Sequence, residues 1–528
     1  MKTKRLSKKG KGIIFGLVVV VVVAALFFTG VFEKVLSGKD VADLANPINT
    51  NTNTETVTPN DNSKNGSGSV SDTIDISLDE WVGWKSIIDA NGGLETKSGS
   101  IYDKLGIKVN IHVINDATQS SNALIKGDLD GAGYTVNRFA FLYPKFKENG
   151  VQPVMPYITN FSTGGDGIIS KASIKGIEDL AGKKIAVPRY SEAQTLVWWL
   201  MNHSGLTADQ IKQIEKSMVM FDTPDDAAKA FFAGQVDAAA TWQPYLSQAQ
   251  ETTGAKLLFS TKSATNIILD GVVFDKKYYD ANKETVTKFI EGTLEAQSLY
   301  TTDTKSIKDT FSLFATETDE NIVAMTGDAK LATYADNIKL IGDEAPTLFT
   351  DMSNIWKNLG EKANPEEVKN AFDTSALETL KDKFDTTTNT TVKVTETQRE
   401  QAKTQDNVQS LLKKSVTINF QPNSAAFVNQ DEAAKALNQF VDIAKILNGS
   451  VIQIEGNIAD TGVGDTEAGR KLSEQRAKAV ATYLQYQGVD PTRFVIVGNG
   501  ISKPTGDNST KDGQAKNRRT DIFFKLVE

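Results

Sequence analysis

A chain of 528 residues is long enough for two to four folded units. Its 66 acidic against 58 basic residues give a formal charge of -8, which supplies no electrostatic reason to expect a nucleic-acid partner. The absence of cysteine excludes disulfides, thiolate metal sites, cysteine nucleophiles and a lipid-modified N-terminal cysteine. Only two histidines occur, His112 and His203, in separate segments, so a histidine metal site is excluded as well and no cofactor is expected.

The first twelve residues, MKTKRLSKKGKG, carry six Lys/Arg, and residues 13–32 then run without a charge. Twenty helical residues at ~1.5 Å each span the ~30 Å hydrocarbon core. The basic flank, residues 1–12, is expected to stay in the cytoplasm, so that 13–32 forms a single-pass transmembrane anchor with the bulk of the chain outside. A cleaved signal peptide has a shorter apolar run ending in small residues of the A-x-A kind, whereas this one ends TGVFEKV. Residues 33–72, rich in Asn, Thr, Ser and Gly, hold too few apolar side chains for a core and read as a flexible tether. About 40 such residues have an end-to-end distance of roughly 35 Å.

From residue 73 to 385, strand and helix signals alternate in the manner of a sheet covered by helices. TIDISL places Ile74, Ile76 and Leu78 on one face, and VNIHVIN does the same with Val109, Ile111 and Val113. Ser191 with Gln194 and Thr207 with Gln210 read as capping boxes. Thr223, Pro224, Asp225 and Asp226 open a further helix that Gly234 ends, and VDAAATW follows as a buried strand. Residues 386–409 form a second polar linker, and 410–528 a final small unit.

The segments DEWVGWKSIIDANGGL, ALIKGDLDGAGYTVNRF, STGGDGIISK, IKGIEDLAGKKIAVP, AFFAGQVDAAATWQPYL and FSTKSATNIILDGVVF, in that order, resemble the extracytoplasmic substrate-binding proteins of the taurine, sulfonate and nitrate transporter group. The resemblance implies an α/β two-lobed periplasmic-binding-protein fold of type II, with a small ligand held between lobes by loops and helix N-termini. It places ligand contacts on Trp81, Trp84, Tyr134, Thr135, Ser162, Gly165, Asp166, Ser191, Glu192, Trp242, Gln243 and Asp270. Each has a plainer reading: Ser191 caps a helix whatever else it does, and Asp166 suits a Gly-rich turn. This set has three tryptophans and three acids but no Lys or Arg, which fits an organic cation or zwitterion better than a small oxyanion. An enzyme is not expected, because no nucleophile or histidine pair is brought together by the sequence. The implied function is ligand capture for an ABC permease, with a wall-anchored sensor or structural tether that serves no transporter as the alternative.

Over 410–528 the segments SVTINFQPNSAAF, VIQIEGN, LSEQRAKAVATYLQYQGVDPTRFVIVGNG and KNRRTDIFF resemble the OmpA-like peptidoglycan-binding domain, implying a small α+β sandwich. The family captures the zwitterionic diaminopimelate of the wall peptide with a carboxylate and a guanidinium, whose planar fork suits a carboxylate. On that resemblance Arg476 takes the arginine role, supported by Arg519 and Asn457. Ala459 stands where the family's E-G-H-T-D-x-x-G has aspartate, and Asp460, one place later in a loop made pliable by Gly462 and Gly464, is expected to supply the missing carboxylate. For Arg519 an ion pair with a neighbouring acid is the equal alternative. The chain is therefore expected to sit in the cell envelope, held by a membrane helix at one end and by peptidoglycan at the other.

Overall fold

A computed structural model describes residues 71–299, 301–386, 393–404 and 410–525. The apolar run at 13–32 and nearly all of the tether expected over 33–72 lie outside the described residues. No helix among the described residues is long and apolar enough to cross a membrane.

Two separate sheets build the region after the tether. The first contains β1 (Thr73–Leu78), β2 (Lys108–Val113), β3 (Gly131–Thr135), β4 (Pro153–Val154) and β5 (Ile158–Ser162). The chain then passes to a second sheet made of β6 (Asp166–Lys171), β7 (Ile185–Pro188), β8 (Met218–Phe221), β9 (Ala238–Trp242) and β10 (Ala255–Ser260). It returns to the first through β11 (Leu269–Asp275) and β12 (Ala329–Leu331). The strand orders are β12-β5-β11-β3-β1-β2, with β4 beside β11, and β10-β6-β9-β7-β8. Both sheets thus repeat one plan: three parallel strands, then an antiparallel strand that has just crossed from the other sheet. This is the two-lobed α/β arrangement that the segment resemblance implied.

Local chemistry explains the elements. Ile74 and Ile76 of β1 pair in register with Val109 and Ile111 of β2, and all four are buried because alternate side chains share one face. Thr207 and Gln210 form the expected reciprocal capping box, while Gln194 reaches back one residue further, to the Tyr190 amide. Thr223 accepts the Asp226 amide at 3.1 Å, and Gly234 leaves the helix at φ 74°. Trp199 is fully buried and stacks on His203, whose Nδ1 lies 2.8 Å from the Trp199 carbonyl; His112 pairs with Asp75. Neither histidine approaches a ligand site.

The two crossings are stapled by one hydroxyl. Thr261 Oγ1 accepts the amides of Gly164 at 3.0 Å and Asp166 at 3.3 Å and lies 2.8 Å from the Ser162 hydroxyl.

The C-terminal unit is a four-stranded sheet, β13 (Ser410–Val416), β16 (Thr520–Lys525), β14 (Val451–Gly456) and β15 (Phe494–Gly498), in the order β13-β16-β14-β15. Only β14 and β15 run parallel. The helices Gln430–Ile446 and Glu467–Tyr486 accompany it. The second lies close on the sheet because glycine permits it: a Cβ at Gly456 would stand 1.9 Å from the Ser473 carbonyl oxygen, and one at Gly498 2.5 Å from that of Arg470. Within the segment read as a linker, Glu396–Thr404 is helical, and Lys525 Nζ donates to the Ala402 carbonyl at 2.6 Å.

This unit contacts the two-lobed region at the second crossing and on both lobes. Asn266, in the second crossing, donates to Glu344 at 2.6 Å and to the Lys445 carbonyl at 3.5 Å, and its neighbour Thr265 bonds Asn448. Lys445 also faces Asp343 of the first lobe at 3.6 Å. On the second lobe, a Cβ at Gly205 would stand 2.5 Å from the Lys413 carbonyl.

Candidate functional site

Between the lobes lies a cavity of about 340 Å³ whose walls come from both sheets. Of the twelve positions expected to touch ligand, eight line it: Trp81, Tyr134, Thr135, Asp166, Ser191, Glu192, Trp242 and Asp270. Strand ends and helix starts put them there. Thr135 closes β3 and caps the helix Val136–Glu148, accepting the Arg138 amide at 3.0 Å. Ser191 accepts the Gln194 amide and donates to the Pro188 carbonyl, so its hydroxyl is already engaged in the cap. Tyr134 meets Ser120 at 2.7 Å.

Four expected contacts do not line the cavity. Trp84 is buried in the first lobe, where a Cβ on Gly133 would come within 2.8 Å of its ring; its Nε1 donates to Asp79 at 2.6 Å. Ser162 is buried, bonded to the Thr261 hydroxyl and to the Asp166 carboxyl. Gly165 is needed as glycine, since a Cβ there would stand 2.6 Å from the Trp81 ring. Gln243 donates to Asp328 at 3.0 Å and accepts from Ser247.

The structure also corrects the expectation of a cleft without a basic group. Arg138 lines the cavity and donates to Glu192 at 2.9 Å, joining the lobes through one ion pair. Asp79 was missed as well, although an acid directly after β1, two residues before Trp81, sits where strand ends supply ligand groups. At the mouth, Arg189 faces Asp222 at 3.5 Å, and Asp225 accepts Trp242 Nε1 at 3.0 Å. Trp81 Nε1 donates to Asn160 at 3.1 Å.

Charge in this cavity is unbalanced. Asp79, Glu80, Asp166, Glu192, Asp222, Asp225 and Asp270 line it with two guanidiniums, Arg138 paired with Glu192 and Arg189 facing Asp222. Burial pushes the Asp166 carboxyl up to about 7, with the neighbouring Glu192 and Asp79 charges adding to it and a hydrogen bond from Ser162 opposing it. Burial, then repulsion from Asp79, Asp166 and Glu192, drives Asp270 well above the usual carboxylate range. Asp79 is raised by burial despite its Trp84 bond and the Arg138 charge. Among the described residues neither Asp166 nor Asp270 has an ion-pair partner, and no cluster there has the make-up of a metal site.

In the C-terminal domain the four expected wall-binding residues divide. Arg519 is locked into a two-pronged pair with Asp521, at 3.0 and 2.9 Å, so the alternative reading of that residue describes it. Asn457 is buried between Asp521 and Asn499, each at 3.0 Å. Asp460 Oδ1 accepts the amides of Gly462 at 2.8 Å and Gly464 at 3.2 Å, closing its own loop. Arg476 lies over the Phe420 ring at 5.0 Å and donates from Nε to the Ser424 carbonyl at 3.1 Å; it has no carboxylate partner among the described residues.

Residues 98–303 match the NMT1/THI5-like family and residues 419–518 the OmpA family. A Brucella abortus (strain 2308) protein with the provisional name of a binding protein is 21% identical over 277 residues, covering 52% of this chain and 82% of that one. The peptidoglycan-associated lipoprotein of Pseudomonas putida is 35% identical over 91 residues, covering 17% of this chain and 53% of its own, so the chain spans only about half of that relative. Among solved structures, the periplasmic aliphatic sulphonate binding protein SsuA from Escherichia coli aligns with a TM-score of 0.45 at 18% identity, covering 56% of this chain and 96% of that one. The chain thus joins a region that matches the NMT1/THI5-like family to a C-terminal region that matches the OmpA family.

Proposed function

We propose that this chain captures a small solute outside the cytoplasm for an ABC importer while its C-terminal domain holds it to peptidoglycan. The observation that carries the first half is the cavity itself, enclosed between two lobes that are joined by only two crossings and lined from both sides. Such a cleft can close around a ligand by hinging, with polar groups fixing orientation and aromatics excluding water. The Brucella abortus relative is named as a binding protein. The described residues lining the cavity include no cysteine, histidine or lysine, and binding without chemistry is the reading.

Residues 13–32 supply the membrane anchor in this proposal, with the tether over 33–72 letting the cleft stand off the bilayer. Arg476 is the principal wall contact, its guanidinium meeting the diaminopimelate carboxylate, and Asp460 meets the ammonium through the oxygen not used in its own loop.

Intrinsic fluorescence tests the cleft directly, because Trp81 and Trp242 both line it. A captured solute should shift the emission of the full-length protein, and Trp242→Phe should remove much of that shift. No shift with any solute of the periplasmic small-molecule classes, in protein that remains folded, would defeat the capture reading. Fractionation tests the anchor: the protein should sediment with membranes and be digested from outside.

A further inference from the structure

We propose that the captured solute is a small organic cation, its ammonium held among Asp79, Asp166 and Asp270 and against the rings of Trp81 and Trp242. This rests on the reading of the cleft as a solute site. Three observations converge on it. The first is stoichiometric: seven acidic side chains line the cavity against two guanidiniums, Arg138, taken up by Glu192, and Arg189, facing Asp222. The second is enclosure, since Asp166 and Asp270 are 6% and 4% exposed yet have no cation against them. A buried carboxylate in that state is costly unless a positive partner arrives. The third is aromatic: Trp81 enters from the first lobe and Trp242 from the second, and aromatic faces attract cations.

The opposing argument is the helix ends. Helices start at Thr135, Ser191 and Thr223, all on the cavity wall, and their free amides favour anions. Each start already has its own charge nearby. Glu192 is the first residue of one helix, Asp225 stands in the first turn of another, and the third carries Arg138, paired with Glu192. An oxyanion placed at these amides would sit among Asp79, Asp166, Asp270 and Glu192, with Asp222 and Asp225 at the mouth and Arg189 facing Asp222. The chain's own carboxylates oppose it there.

The cation also has a protonic signature. Asp166, with the charges of Asp79 and Glu192 and the buried Asp270 acting on one another around it, holds part of a proton near neutral pH, and an ammonium beside these acids would expel it. An anion would draw protons in.

The test is calorimetry on the full-length protein in detergent at pH 7, in two buffers of different ionisation enthalpy. Choline, putrescine and glycine betaine are titrated beside ethanesulfonate, nitrate and phosphate. At least one of the ammonium compounds should bind with proton release, and the three anions should not bind. Asp270→Asn, equal in size and uncharged, should weaken that compound by at least about tenfold while raising the melting temperature of the empty protein, a pairing that a merely structural aspartate would not give. Binding of anions alone overturns the inference and leaves solute capture standing. Unchanged affinity in Asp270→Asn overturns it too. If nothing binds to folded protein, the capture reading falls and takes this one with it.

Discussion

In the C-terminal domain Asp521 is enclosed by the fork of Arg519, and Glu455 accepts from Lys503 and Asn499, each at 2.7 Å, whereas in the cleft Asp166 and Asp270 are enclosed as fully with no cation against them. Even Arg493, buried in the C-terminal domain, spends its guanidinium on the carbonyls of Ala444, Leu447 and Ser450 at the end of a helix. These charges of the first region are complete within the chain, with Arg476 the exception among its buried ones, and Asp166 and Asp270 in the second are incomplete without something else. Burial alone does not separate architecture from function; burial together with satisfaction does.

The largest effect expected from this contrast is on stability. Arg519→Ala strands Asp521 and should cost the C-terminal domain about 3–5 kcal/mol in chemical denaturation, while removing a charge from the cleft with Asp166→Asn should stabilise the empty two-lobed domain. Destabilisation by both would break the comparison.

Acid should separate the two regions next. The folded Asp166 value of about 7 lies above its ordinary 3.8, so the folded state binds the extra proton and stability from this group falls as pH rises from about 4 to 7. For Glu455 burial raises the value, but Lys503, Asn499 and Gln453 outweigh it and hold the carboxyl below its ordinary 4.5. Its contribution is present above that value and lost as pH falls through the depressed one. Melting curves from pH 7 to 4 should therefore show the cleft region gaining from Asp166 while the C-terminal domain begins to lose.

Wall binding sharpens the comparison within the C-terminal domain. Pull-down on diaminopimelate-type peptidoglycan should fail for Arg476→Ala and weaken for Asp460→Ala, with circular dichroism unchanged. Retention of the Asp460→Ala protein at the original level would show that the aspartate role is absent in this sequence. The smallest effect belongs to Trp84→Phe, which removes one hydrogen bond to Asp79 and should cost about 1 kcal/mol, shifting solute affinity far less than Trp242→Phe.

Much of this was legible along the chain because it depends on local periodicity. Alternation in TIDISL and the caps at Thr207 and Thr223 are decided by neighbours within a few residues, and they formed as read. The pairing of Arg519 with Asp521 was within reach too, since residues two apart in a strand share a face. Choosing Trp81 over Trp84 was not, because the choice turns on Gly133, about fifty positions away, opening a slot for one ring. Arg138 was hidden for a related reason: it lies on a helix with apolar neighbours, and only the fold shows that its long side chain reaches across the cleft to Glu192.

The C-terminal domain seats its Lys445–Asn448 corner on Thr265 and Asn266, inside the second crossing, and also touches both lobes. In mechanical terms this corner is a fulcrum support. In the proposed wall-tethered function, a pull from the cell wall would enter the molecule at this crossing, close to where the lobes join. A handle fixed at a crossing and on both lobes loads them together, whereas one fixed to a single lobe tip would pry them apart.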